Sequence, residues 1–208
     1  MKKTIFSVFA ILSLVLGLSY AESTNTSKIS FSKDNEKTHF GFHPDQSQEP
    51  FDKMMRVLTH PRCVNCHPAG SKPIKGDDAS VTRALGVPRG PHGEGLKGLN
   101  CSTCHSDENN DFSGVPGAPE WALAPEFMAW EGKTRVEIAT QMMDPARNGG
   151  RSAQETLKHL TEHKLVLWAW DPGVDSEGIP REKPPVPKDE YIAAVTEWIN
   201  NGAIIPDE

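Results

Sequence analysis

Beyond residue 21 the chain has no apolar run long enough to cross a bilayer, no convincing strand alternation and no internal repeat apart from one short doubled motif. The first absence excludes a protein held in the membrane by later helices. The second leaves a mainly α chain with extensive irregular loops. Basic residues are scarce as well: 22 Lys and Arg face 28 Asp and Glu, a formal charge of −6. Nucleic acid wants a basic face, so that class of partner is excluded, whereas a basic protein partner is compatible. Apolar residues make up only 37 %, while glycine and proline number 17 each. Such a chain builds a thin core of its own, and something other than side chains has to supply the missing apolar mass.

The N-terminus is the apolar exception. Met1-Lys2-Lys3 is a short positive head, TIFSVFAILSLVLGLSY is uncharged, and Ser19-Tyr20-Ala21 offers small residues for cleavage. Residues 1–21 read as a signal peptide, with an uncleaved N-terminal anchor as the alternative, and an exported, periplasmic protein is expected. No cysteine follows the run, which argues against a lipid anchor. Loss of Lys2 and Lys3, with no acidic residue in the segment, takes the formal charge from −6 to −8. Residues 22–49, rich in Ser, Thr, Asn, Lys and Gln, read as a flexible leader. Residues 50–205 read as one compact domain.

Within that domain Phe51, Met54, Met55 and Leu58 recur as one face of a short helix ending before Pro61. Residues 68–100 are rich in Gly, Pro, Lys and Asp and read as loop, with one helical turn expected around Ala79–Leu85. Thr134–Met143 reads as a helix stopped at Asp144-Pro145. Ser152 and Glu155 form a capping box that opens another helix carrying His159 and His163. Tyr191, Ile192, Val195, Trp198 and Ile199 give the final helix an apolar stripe, and Gly202 ends it.

All four cysteines lie in HPRCVNCHP (60–68) and CSTCH (101–105). Disulfides suit an exported protein, and four cysteines suit zinc, yet both leave His67 and His105 unexplained. With 8 His in 208 residues, two such coincidences have a chance of about one in seven hundred, and C-x-x-C-H is the attachment pattern of c-type haem. In that reading Cys63 and Cys66, and again Cys101 and Cys104, add to the two vinyl groups of one porphyrin. One helical turn carries His67 and His105 to the iron as proximal ligands. Two haems c would then supply the apolar mass that the composition lacks.

These motifs, with DENN close behind the second, and the stretches PGAPEW-ALAP-MAW, DPARNGGRS, LVLWAWDPG and W-INNGA, resemble the small exported dihaem c-type cytochromes of bacteria. The resemblance spans most of residues 50–205. It is strongest to a group labelled as a subunit associated with isoquinoline 1-oxidoreductase. It implies a periplasmic electron carrier and a redox protein partner, either a molybdenum hydroxylase or a respiratory donor or acceptor. Similar sequences often end in Cys-Pro, where this chain has Ile204, Ile205 and Pro206, so a thiol is absent there.

The sixth ligands are open. His60 either reaches the neighbouring iron or caps the turn before Pro61. His159 and His163 share a helix, and periodicity places His163 nearer the apolar face; similar sequences keep a histidine at His159, which favours that residue. Both also suit a plain surface. Met128 in WALAPEFMAWEG is the best thioether candidate, with a core methionine between tryptophans as the alternative. Met54 and Met55 suit core, and Met142 and Met143 end a helix. His92 suits a solvent-facing loop, and His39 and His43 belong to the leader. Trp121, Trp130, Trp168, Trp170 and Trp198 suit haem crevice walls or ordinary core. Arg147, Asn148 and Arg151 suit propionate binding or, preferably, a turn with surface charges.

The leading expectation is therefore an electron-transfer protein rather than an enzyme, with both irons six-coordinate. The alternative is a dihaem peroxidase or oxidase with one open coordination site, for which no distal acid or base stands out. A haem-based sensor ranks third, because no signalling domain is attached.

Overall fold

The computed structural model describes residues 48–74 and 86–207. The expected signal peptide, the leader up to residue 47 with His39 and His43, and the helical turn around Ala79–Leu85 lie outside the described residues. Among the described residues there are six α-helices: α1 (Glu49–Leu58), α2 (Pro61–Val64), α3 (Arg135–Met143), α4 (Ala153–Glu162), α5 (Lys164–Leu167) and α6 (Lys188–Asn200). Strand is confined to the antiparallel pair β1 (Gly95–Leu96) and β2 (Leu99–Asn100). Helix is thus the main regular structure, set among long irregular stretches, and the small hairpin is an element the sequence pattern did not announce. No helix among the described residues is long and apolar enough to cross a membrane.

The helices start and stop where local chemistry directs. In α1, Pro50 occupies the first turn, where its missing N–H costs nothing. Glu49 and Asp52 face the positive end of the helix and Arg56 the negative end. One face of α1 buries Phe51, Met54, Met55, Val57 and Leu58. Thr134 and Ser152 close capping boxes with Glu137 and Glu155 at α3 and α4. At the end of α6, Gly202 takes a left-handed φ of 91°, which glycine adopts without strain.

The core gathers these faces. α1 and α4 pack on α6, and Phe51 meets Trp198 with ring centroids 5.9 Å apart. Ile138 and Met142 of α3, Leu160 of α4, and Tyr191 and Val195 of α6 complete it with Met128 and Trp130. Cys63 packs against this cluster. The first motif therefore sits on the core, whereas the second lies in the stretch 86–120, irregular apart from the hairpin, where Ala118 is the one buried hydrophobic side chain.

The capping boxes carry a stability prediction. Glu155 has its pKa lowered first by the Ser152 backbone N–H, then by the Ser152 hydroxyl and Arg151. A depressed folded pKa means that stability is fully present above the ordinary value of 4.5 and is lost as pH falls through the folded value. Glu155→Gln should therefore lower the urea midpoint at neutral pH, and its difference from wild type should vanish in acid. Ser152→Ala should cost about 1 kcal/mol in the same titration.

Candidate haem-attachment sites

Each motif is wrapped into a single turn. His60 caps α2 by accepting the Arg62 N–H on Nδ1 at 3.2 Å. The turn continues with Cys66 N–H to Cys63 O at 3.2 Å and His67 N–H to Val64 O at 2.9 Å. In the second motif Cys101–Thr103 forms a 3-10 turn. Cys104 N–H and His105 N–H both return to Cys101 O, at 3.2 and 2.9 Å. In both motifs the histidine thus follows its cysteine pair within one turn of backbone, and no disulfide joins the four sulfurs.

The two histidines are held alike. His67 Nδ1 lies 2.7 Å from Met128 O, and His105 Nδ1 lies 2.7 Å from Pro116 O. A carbonyl oxygen only accepts, so Nδ1 carries a proton in both rings, and the lone pair of a neutral ring then lies on Nε2. This is the tautomer that a metal-ligating histidine needs, and a backbone carbonyl is a usual partner for its other nitrogen. Burial, the largest cause, lowers the His67 pKa to about 4, and the charges of His159 and Arg89 act in the same direction. The ring is therefore neutral at physiological pH. Each ring also lies flat on an indole: His67 on Trp130 at 3.6 Å and 10°, His105 on Trp121 at 4.6 Å and 9°.

One irregular segment supplies all of these supports. Between residues 116 and 131 the chain gives Pro116 O and Trp121 to His105, and Met128 O and Trp130 to His67. On the way Ala124 N–H bonds Cys66 O at 2.9 Å, and Trp130 N–H bonds His67 O at 2.8 Å. Gly93, where a Cβ would lie 2.1 Å from Leu123 O, lets the loop before the second motif close against this strap.

Around the first motif several buried polar atoms lack partners. Arg89 is only 6 % exposed; Nη2 donates to Pro68 O at 2.9 Å, Nε has no acceptor, and none of the ion pairs among the described residues includes it. A buried guanidinium without an anion is costly. Trp130 Nε1, beside His67, and Tyr191 Oη are also buried without partners. Burial raises the Tyr191 pKa well above its usual value, with a further contribution from Cys63. Orphaned donors beside a histidine lone pair and two thiols fit a bound porphyrin bearing carboxylates, which would give them acceptors. Burial also pushes the Cys63 thiol up to about 12, helped by Cys66. That is opposite to the lowered pKa of a redox-active Cys-x-x-Cys pair. Among the described residues no group of three or more His, Cys, Asp or Glu gathers that could hold a metal ion by itself.

His159 and His163 line a cavity of about 620 Å³ with Pro119, Glu120, Arg151 and Lys164. Their ring centroids are 4.9 Å apart, but their surroundings differ. His163 Nε2 lies 2.8 Å from Glu120 Oε2. His159 has its pKa lowered to about 4, first by burial, then by the Arg151 and His163 charges. It is a neutral imidazole close enough to affect His67. Glu120 adopts a φ of +62°, uncommon for a residue with a side chain. It lies on the strap one residue before Trp121.

His60, besides capping α2, places Nε2 3.7 Å from Glu182 Oε1. Met128 meets His67 through its carbonyl, while its side chain is 8 % exposed within the core cluster. Met54, Met55 and Met142 are core as well. Asn148 donates to Met142 O and Arg151 O and accepts the Arg151 N–H, so DPARNGGRS is organised as a turn. His92 is exposed.

Arg89, Asn109 and Glu120 were not singled out from the sequence. The signals available were a lone Arg between Pro and Gly, and DENN placed directly after the second motif. No family model matches the chain, and neither a curated protein nor a solved structure shows significant similarity to it.

Proposed function

We propose that the chain carries one haem c at each Cys-x-x-Cys-His motif and works as a periplasmic electron-transfer protein. The observation that carries this reading is the shared support of His67 and His105. Two separate turns each present two thiols and a histidine whose Nδ1 proton is committed to a backbone carbonyl, the usual second contact of a metal-ligating histidine. A haem held this way supplies one-electron exchange at its iron. Cys63, Cys66, Cys101 and Cys104 anchor, and His67 and His105 are the proximal ligands. Arg89, with Trp130 and Tyr191, receives the carboxylates at the first motif. The strap keeps both rings in place and excludes water from the first. The partner, on the resemblance of the motifs, is a redox protein such as a molybdenum hydroxylase or a respiratory donor or acceptor.

For the far side of an iron the surroundings support His159. Its ring is neutral and has no hydrogen-bond partner among the described residues, whereas His163 Nε2 is engaged by Glu120. The contacts of His60 and Met128 support capping and core roles. Mass spectrometry of periplasmic protein made with its maturation machinery should show two added porphyrins; their absence would sink the reading. In the loaded protein His159→Ala should turn one low-spin ferric haem high-spin by EPR, and His163→Ala should not. The reverse outcome exchanges the two assignments.

One observation favours a second reading, an enzyme with one open haem. The Glu120–His163 pair lines the 620 Å³ cavity and has the make-up of an acid–base couple. A wild-type ferric spectrum with one high-spin haem that binds cyanide would favour it over the carrier.

A further inference from the structure

Asn109 holds the second motif through one peptide group. Its Oδ1 accepts the Gly117 N–H at 3.0 Å, and the carbonyl of that same peptide is Pro116 O, which accepts His105 Nδ1–H at 2.7 Å. The bonds run in series from imidazole to peptide to carboxamide, and hydrogen bonds in series polarise one another. The approach depends on Gly117, where a Cβ would lie 2.2 Å from Glu108 O and 2.4 Å from Ser106 O. The first motif is arranged differently. There the Ala129 N–H, on the peptide whose carbonyl serves His67, bonds the backbone oxygen of Glu126 at 3.1 Å. Only at the second motif does the series end on a side chain.

The same oxygen also accepts Trp168 Nε1–H at 2.9 Å, while Asn109 Nδ2 donates to Asp171 O at 2.8 Å. Trp168 stands edge-on to Trp121, centroids 4.9 Å apart at 85°, and Trp121 is the indole stacked on His105. The Trp168 ring also has its centroid 5.9 Å from the guanidinium carbon of Arg62, the residue before Cys63. Asn109 thus fixes both the hydrogen bond behind His105 and the aromatic bridge from that ring toward the first motif.

We propose that Asn109 is a positioning residue: through the Pro116–Gly117 peptide it sets the strength of the His105 Nδ1 hydrogen bond, and thereby the potential of the second haem, while holding Trp168 in the bridge to Arg62. This rests on the haem reading of the second motif. A stronger bond at Nδ1 makes the imidazole a better donor at Nε2 and favours the ferric state, lowering the potential.

The test uses full-length mature protein from a maturation-competent host, with its mass measured first. In the reduced, diamagnetic state, ¹⁵N-histidine NMR reads the His105 Nδ1–H resonance, and a redox titration followed by NMR resolves the two centres. Asn109→Leu should move that proton upfield and raise one potential, leaving the other in place. Asn109→Asp, which keeps an acceptor and adds charge, should move both readouts the opposite way. Trp168→Phe removes one of two donors sharing Oδ1 and should move the proton downfield without adding charge, which guards against an Asn109→Leu protein that fails to fold. An unchanged proton in Asn109→Leu and Trp168→Phe, or equal shifts at both centres, overturns the proposal. A mass lacking the porphyrins instead sinks the parent reading, and the proton shifts in that material then decide the role of Asn109 alone.

Discussion

Replacing Cys101 and Cys104 together by alanine is expected to give a folded protein lighter by one porphyrin, whereas the Cys63→Ala/Cys66→Ala protein should lose most of its stability. The asymmetry follows from where the core lies. Cys63 packs against the cluster built from α1, α3, α4 and α6, and the unpartnered polar atoms of Arg89, Trp130 and Tyr191 are buried around that motif. Without a group to receive them, each costs roughly 1–3 kcal/mol. Three such penalties are a large share of a total stability of about 5–15 kcal/mol. The second motif carries a lighter load: of the unpartnered buried atoms only Glu94 Oε2 acts on Cys101, Cys104 is exposed and Cys101 is half-buried. Mass spectrometry with urea titration of both double variants checks the claim. Equal destabilisation would mean that the second motif is also part of the cooperative core.

The same division explains what the sequence disclosed. Helices α1, α3, α4 and α6 were legible because each announces itself locally, by an apolar stripe, by a Thr134 or Ser152 capping box, or by the Gly202 stop. Helix α1 opens at Glu49, one residue ahead of Pro50. The motif cysteines and histidines stand out in the sequence because the proposed attachment chemistry demands adjacency in the chain. The supports of the rings do not. Met128 O and Pro116 O are backbone atoms, and any residue offers a carbonyl. What matters is that an aperiodic segment passes behind both histidines, and tertiary packing alone decides that. Trp121 and Trp130 suit crevice walls or ordinary core alike, and nothing in their spacing says which indole lies on which ring. Met128 shows the limit most sharply: the sequence offers its sulfur as a ligand, whereas its contact with His67 runs through the carbonyl. Asn109 and Arg89 sit on loops where neither period applies, so their partners became visible only when the chain closed on itself.

The strap makes its own demand on stability, and Trp130 carries most of it. That side chain is 4 % exposed, belongs to the core cluster and lies flat on His67 at 3.6 Å. Its backbone N–H is bonded to His67 O, so the residue closes the strap on the first motif from two directions. Trp130→Ala should cost about 3–5 kcal/mol, the range for large buried aromatics. Trp121, which makes the matching stack on His105, is only half-buried. Because hydrophobic stabilisation follows the area removed from water, Trp121→Ala should cost roughly half as much. Urea titration of both variants in parallel gives the ratio. If Trp121→Ala proves the costlier, the strap is anchored at the second motif and the stability gradient runs the other way. If Trp130→Ala is the costlier but Trp130→Phe restores stability, the ring's volume and stacking are what hold the strap, and the buried Nε1–H contributes nothing to it.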